Sequence, residues 1–340
     1  MSVLAAIPPP PFDPVMEIGP LTVAWYGVVI AVGAFLGLRL TVSRYEQTGG
    51  DPDLAEKAAL MALLFGFLGA RIGYVIPRFL GDGGFVERPQ DILAIWQGGL
   101  AFFGGLVGGT LAVIVYLRAK GVTVGGYAAF ADAVAPGLPL AQAFGRWGNY
   151  FNQELFGRPT DLPWALRVDP EPAARAGFPD ATTFHPTFLY ESLWNLALVG
   201  VILTVDRLGW LKRRGSLFFV YLIGYGIGRG WIEALRVDVP ERYFGLSRNN
   251  WIAIAVALIG IAGLRWWEAR GTAPLRDDPR SVDPDAPDTD TGNSGTHDLD
   301  SEDPDDPHAH TPDADAADPE APDTDGAGVE SNDTDDGTGR

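Results

Sequence analysis

Apolar residues in the first 270 positions fall into segments of bilayer length. A helix needs about 20 mostly apolar residues to cross the hydrocarbon core. Runs at 21–40, 58–76, 98–117, 216–235 and 250–267 meet that requirement. Two further runs are interrupted: 125–143 contains Asp132, Pro136 and Pro139, and 186–205 contains Glu191 and Asn195. A soluble core produces one or two such runs; seven predict an all-α polytopic membrane protein with about seven transmembrane helices. The N-terminal segment has no Lys or Arg before Arg39 and carries prolines from Pro8 to Pro11, so it reads as a short amphipathic lead-in at the interface rather than a signal peptide.

Loop charges predict an orientation. Arg44 and Lys57 follow the first run, Arg118 and Lys120 the third, and Arg207, Lys212, Arg213 and Arg214 the fifth; Arg265, Arg270 and Arg276 close the seventh. Positive residues gather on the cytoplasmic side, which predicts the N-terminus outside and the C-terminus in the cytoplasm. The long segment 146–183 and the segment 237–248 then face outward. Their arginines run against the rule and are therefore candidates for function.

Composition divides the chain once more. Residues 271–340 hold 22 of the 43 acidic residues and three of the 25 basic ones, so the formal net charge of -18 belongs to this stretch and the preceding 270 residues are nearly neutral. The stretch is Asp, Pro, Thr, Ala and Gly with few large apolar residues. It cannot bury enough surface to offset its ordering entropy and is predicted to be a disordered acidic cytoplasmic tail, with 1–270 as the membrane domain. Absence of cysteine excludes a disulfide framework, a cysteine nucleophile and a thiolate metal site. The acidic balance, without a basic stripe bearing interleaved aromatics, argues against nucleic acid as a partner.

Ionisable side chains inside spans are costly and tend to mark sites. In the sixth run Tyr225, Arg229 and Glu233 recur at four-residue spacing and Arg236 follows three residues on, so one helical face is expected to carry all four. An internal Arg229–Glu233 ion pair accounts for part of this, and glycines at 224, 226, 228 and 230 permit close helix packing. A second group lies at the end of the fourth run. Arg146, Asn149 and Asn152 at three-residue spacing offer a guanidinium and two amides from one helical turn, a donor set suited to a phosphate or other oxyanion. An asparagine-capped helix end accounts equally well for the same spacing. His185, the one histidine of the first 270 residues, precedes the fifth run together with Tyr190 and Glu191, and Trp25, Tyr26 and Gly27 open the first.

Taken together, these residues form a more specific pattern. Gly145, Arg146, Gly148, Asn149, Asn152, Glu154 and Gly157, in that spacing, resemble the signature of the bacterial phosphatidylglycerol:prolipoprotein diacylglyceryl transferases, with Tyr150 in place of the usual Phe. The likeness continues in order through Trp25–Gly27, Gly69 to Tyr74 with Arg71, Trp96 to Gly99, His185 to Glu191, and Tyr225 to Arg236. It covers most of 20–265 and omits the tail.

That resemblance implies transfer of the sn-1,2-diacylglyceryl group of phosphatidylglycerol to the thiol of the lipobox cysteine in preprolipoprotein signal peptides. A thioether forms and glycerol 1-phosphate leaves. The implied location is the bacterial cytoplasmic membrane, with the chemistry near its outer face, and no metal or organic cofactor is implied. By the same resemblance Arg146 and Arg229 bind the lipid phosphate and stabilise the leaving group. Asn149, Asn152 and Glu154 orient the glycerol hydroxyls and Arg146; Glu233 holds Arg229; Tyr26 and Tyr225 supply phenol donors, and Arg236 adds to the binding face.

One departure affects the mechanism. Where many members carry histidine, this chain has Phe103, which accepts no proton. The reading adopted is that the two arginines acidify the incoming thiol and that water or the leaving phosphate takes the proton, with Glu154 and His185 as alternative bases. A polytopic lipid or organic-anion transporter or flippase would also place arginines in its spans. Such transporters usually carry an internal repeat, and the two halves of this chain share none.

Overall fold

The computed structural model describes residues 6–19, 21–81, 89–94, 98–237 and 242–270. The expected disordered tail at 271–340 and the Trp96 and Gln97 part of the motif lie outside the described residues.

Among the described residues, seven long helices and one short one carry the fold: α1 (Trp25–Glu46), α2 (Pro52–Gly81), α3 (Phe102–Ala119), α4 (Val124–Phe151), the short α5 (Pro170–Arg175), α6 (Thr187–Arg207), α7 (Ser216–Leu235) and α8 (Arg248–Glu268). A 3-10 turn occupies Pro89–Leu93. Three small antiparallel hairpins complete it: β1 (Val15–Ile18) with β2 (Leu21–Ala24), β3 (Leu166–Arg167) with β4 (Thr183–Phe184), and β5 (Arg242–Tyr243) with β6 (Leu246–Ser247). The protein is thus a mainly helical, multi-pass membrane protein. Among the described residues five helices, α1, α2, α3, α6 and α8, are long and apolar enough to cross a bilayer.

Burial is inverted relative to a soluble domain. Leu64, Phe103, Val115 and Ile259 are exposed, whereas Arg71, Asp132, Asn149, Glu191, Asn195, Glu233 and Arg236 are buried. Soluble proteins rarely expose apolar surface on this scale or bury so many ionisable groups. An apolar exterior around a polar interior is what a lipid solvent selects.

Small residues set the helix contacts. α1 packs on α4, α2 on α3, and α7 on α8, while α4, α6 and α7 meet around the polar interior. α2 and α3 approach backbone to backbone, because a Cβ added at Gly104 would lie 2.3 Å from the Gly69 carbonyl oxygen. On α7 the expected role of the glycines holds at three of four positions. Gly224 lies against Leu198, Gly226 against the Ala253 carbonyl and Gly228 against Trp194, but Gly230 faces open space.

Two sequence expectations need correction, and one interrupted run finds its reason. Leu21–Ala24 does not belong to the first span: it pairs as β2 with β1, and the helix begins at Trp25. The lead-in is thus a hairpin where it precedes α1, with Trp25 N–H bonded to the Pro14 carbonyl at 3.0 Å. Arg236 does not continue the helical face of Tyr225, Arg229 and Glu233, because α7 ends at Leu235 and Arg236 is extended with ψ 150°. Asp132, which interrupts the fourth apolar run, accepts the Gly215 N–H at 2.7 Å and the Leu217 N–H at 2.8 Å. Its carboxylate thereby satisfies the first amides of α7, where the helix dipole favours negative charge.

Between α4 and α6 the chain builds a small cap. Phe156, Leu166, Val168, Ala173, Phe184 and Phe188 form its apolar cluster, with Ile7 packed against it. The Ile7 N–H reaches the Ala165 carbonyl at 2.8 Å, which ties the start of the chain to this cap.

Candidate active site

Three helices converge on one buried carboxylate. On α4, Gln142, Arg146 and Asn149 recur at helical spacing and share a face; α6 brings Glu191 and Asn195, and α7 brings Tyr225, Arg229 and Glu233. A cavity between these helices is lined by Gln142, Arg146, Glu191, Trp194, Tyr225 and Arg229, among others. Glu191, with 8% of its side chain exposed, places Oε2 2.8 Å from Arg146 Nε and Oε1 3.7 Å from Arg229 Nη1. Two guanidiniums 83 positions apart in sequence thus flank one anionic group. The Asn195 amide donates to the Glu191 backbone carbonyl at 2.8 Å and stiffens that turn of α6.

Each arginine is held from behind. Arg229 Nη2 lies 2.8 Å from Glu233 Oε2, the four-residue pair expected from spacing. Glu233 is itself fixed, since its Oε1 accepts the Asn249 amide at 2.8 Å and the Ser247 hydroxyl at 3.2 Å, and Arg236 approaches its Oε2 at 3.8 Å. Arg146 Nη1 donates to Asn149 Oδ1 at 3.2 Å. Asn149 and Asn152 donate to Glu154 Oε1 at 2.9 and 3.3 Å. Each amide therefore commits one of its two N–H groups to Glu154. They belong to a relay from Arg146 through Asn149 to Glu154, with Asn152 as the cap residue that ends α4.

Tyr26 lies across α4 at Gly148, where a Cβ would come within 2.3 Å of its ring, and its phenol is within electrostatic reach of Arg146 and Glu154. Tyr225 lines the cavity and packs against Tyr221 with ring centroids 5.9 Å apart.

His185 joins a separate network. Its Nδ1 is 3.3 Å from the Tyr190 hydroxyl, which accepts the Trp164 indole N–H at 2.9 Å and so has its own hydrogen available for Nδ1. Burial holds the His185 imidazolium below the usual histidine range. Its backbone carbonyl accepts the Gly157 N–H at 2.9 Å, and Gly157 has to be small because a Cβ there would lie 2.7 Å from the His185 Cβ. Phe103 is exposed at the first turn of α3.

The sequence shows Glu191 as a polar interruption of the fifth run and as the end of the His185 to Glu191 block, without its partners, and does not mark Gln142. Glu191 bridges helices that are distant in sequence, and spacing along one helix reports only neighbours on that helix. The available signal was a lone carboxylate in an apolar run, which requires a buried cationic partner. Arg71 was visible only as part of a motif. It donates to the backbone carbonyls of Asp91, Ile92, Gly98 and Gly99 at 2.6 to 3.0 Å and so organises the segment between α2 and α3.

Known proteins share this chain's sequence over the same region. The family model described as prolipoprotein diacylglyceryl transferase matches residues 14–266. A protein of Frankia alni named phosphatidylglycerol--prolipoprotein diacylglyceryl transferase is 43% identical over 265 residues, covering 77% of this chain and 67% of the relative. Proteins with the same name from Frankia casuarinae and Corynebacterium diphtheriae are 41% and 40% identical. This chain spans 62% of the former and 94% of the latter, so the Frankia proteins are substantially longer than the shared region.

Proposed function

The chain belongs to the prolipoprotein diacylglyceryl transferase family, and on that premise we propose that its reaction takes place in the cavity between Arg146 and Arg229. It is a multi-pass membrane transferase that moves a diacylglyceryl group from phosphatidylglycerol to a prolipoprotein. The observation that carries the site assignment is the pair of arginines, from α4 and α7, directed at a single buried anion.

In the proposed reaction the thiolate of the lipobox cysteine attacks the glycerol carbon that bears the phosphate. A carbon–sulfur bond forms, the carbon–oxygen bond breaks, and glycerol 1-phosphate leaves with the electron pair. Negative charge moves from sulfur to the phosphate. Groups that stabilise the thiolate and the leaving oxyanion therefore lower the barrier, and fixed donors in a site shielded from water do so most effectively. Glu191 stands where a phosphate would sit between the guanidiniums. It keeps both arginines extended and pre-aimed before the lipid arrives. Glu233 and the Asn149–Glu154 relay hold them from the other side, Tyr26 and Tyr225 add phenol donors at the head group, and Arg236 supports Glu233.

A free thiol has a pKa of about 8.5, and neighbouring cationic side chains lower it to ~3.5–7.5. Two arginines at the point of attack supply that shift, and the proton passes to water or to the leaving phosphate. The alternative bases are each tied to neighbours: Glu154 Oε1 accepts two amides, and Nδ1 of His185 faces Tyr190.

The proposed arrangement has seven spans, α1–α4 and α6–α8, with the N-terminus outside the cytoplasmic membrane and the C-terminus within the cell. The site then opens toward the outer face, the acidic tail follows on the cytoplasmic side, and no nucleic acid takes part. The test is to incubate the purified full chain in phosphatidylglycerol vesicles with a lipobox peptide. The peptide is expected to gain the mass of one diacylglyceryl group with equimolar release of glycerol phosphate, and a Cys→Ser peptide is expected to gain nothing. No mass gain on the cysteine peptide would contradict the proposal, and is what a transporter would give.

A further inference from the structure

Two buried polar atoms of the cavity residues lack a hydrogen-bond partner, and they are of opposite kind. Arg229 Nη1 is a donor whose nearest carboxylate oxygen, on Glu191, is 3.7 Å away; Gln142 Oε1 is an acceptor. Burying either without a partner is costly, so each calls for a partner that the described side chains do not supply. The Gln142 amide is anchored from its other end, because its Nε2 donates to the Tyr221 hydroxyl at 2.9 Å. Gln142 lines the same cavity as Arg146 and Arg229, whose positive charges favour the negative end of its amide dipole.

We infer that Gln142 is the residue that selects the lipid head group, its Oε1 accepting a hydrogen bond from a head-group hydroxyl while Arg229 Nη1 donates to the adjoining phosphate. The inference rests on the transferase reading above and deepens it. A phosphodiester of a polyol provides an anion and a hydroxyl donor in one molecule, the two kinds of partner that the donor and the acceptor lack. Arg146, Arg229 and Glu191 line the cavity, and Glu233 offsets the charge of Arg229 from behind. The guanidiniums supply donors for an anionic phosphate, whereas a zwitterionic head group brings a further cation close to them.

The experiment measures kcat/KM for peptide modification by the full chain with two lipids of equal acyl composition, phosphatidylglycerol and phosphatidylpropanol, whose head group has no hydroxyl. The native protein is expected to prefer phosphatidylglycerol by about 10- to 100-fold, because an analogue without the hydroxyl leaves the buried acceptor unpaired. In Gln142→Leu the preference is expected to fall to about threefold or less, through loss of rate with phosphatidylglycerol alone. Gln142→Met provides a second variant should Leu impair folding, and the native comparison needs no variant. A native ratio near one would overturn the inference, as would a variant that slows both lipids equally, since that is the mark of a purely structural role. Failure of the transferase reading looks different: no modification with either lipid by the native protein.

Discussion

Arg146 on α4 and Glu191 on α6 meet at 2.8 Å, Nε to Oε2, and that contact brings the donor cluster at the end of α4 onto the same carboxylate that Arg229 approaches from α7. Glu191 is buried, so its charge is not discarded to solvent. Removing one member of such a set leaves the others uncompensated, which is costlier than losing a surface pair.

Glu191→Gln keeps the shape and removes the charge. Peptide modification is expected to fall about 10- to 100-fold as the two guanidiniums lose the anion that aligns them. Initial rates in phosphatidylglycerol vesicles give the answer, and activity within twofold of native would show that the carboxylate does not organise the arginines.

His185 is expected to be dispensable as a base. His185→Asn should retain activity within about tenfold at pH 7 to 8, with an unchanged slope of rate against pH. Its effect on stability has a definite sign. Burial lowers the folded-state pKa, so near and below the ordinary value of about 6.5 the unfolded chain takes up the proton first, and stability falls as pH falls through that window. Thermal midpoints from pH 8 to 5 should decline less in His185→Asn than in the native protein, and an equal decline would remove His185 as the source.

Close packing of α2 on α3 gives a pair of opposite predictions. Gly104→Ala forces a methyl to 2.3 Å from the Gly69 carbonyl oxygen, so the helices separate at a cost of about 1–3 kcal/mol. Gly230→Ala meets open space on α7 and is expected to be neutral or to stabilise by up to ~1 kcal/mol. Melting of the detergent-solubilised protein distinguishes the two, and equal effects would refute the packing account.

Arg71 holds four carbonyls with one planar fork, geometry that an ammonium cannot reproduce. Arg71→Lys is expected to lower the thermal midpoint and to speed proteolysis between α2 and α3. Native resistance to protease in Arg71→Lys would contradict that role.

These residues also show what could be read from the chain alone. The seven apolar runs marked all the long helices, because a lipid exterior writes itself into composition over ~20 residues. The Arg229–Glu233 pair was legible because both partners lie on one helix. What was not legible depends on tertiary contact. Asp132 looked like a flaw in a span until it met the first amides of α7. That Asn149 and Asn152 both donate to Glu154 depends on how the chain turns after α4, which their three-residue spacing does not report. The β1–β2 hairpin escaped notice because Leu21–Ala24 is as apolar as the helix it precedes, and hydropathy does not distinguish strand from helix over four residues.

The central claim is that Arg146 and Arg229 together hold the phosphate as it leaves. Its most direct test is the rate of diacylglyceryl transfer to a lipobox peptide by the purified full chain and by Arg146→Ala and Arg229→Ala at saturating phosphatidylglycerol. Loss of a donor to a developing oxyanion costs about 2.7–4 kcal/mol, so each variant is expected to lose ~100- to 1000-fold in kcat. Transfer at native rates by either variant, with the fold intact, would contradict the claim.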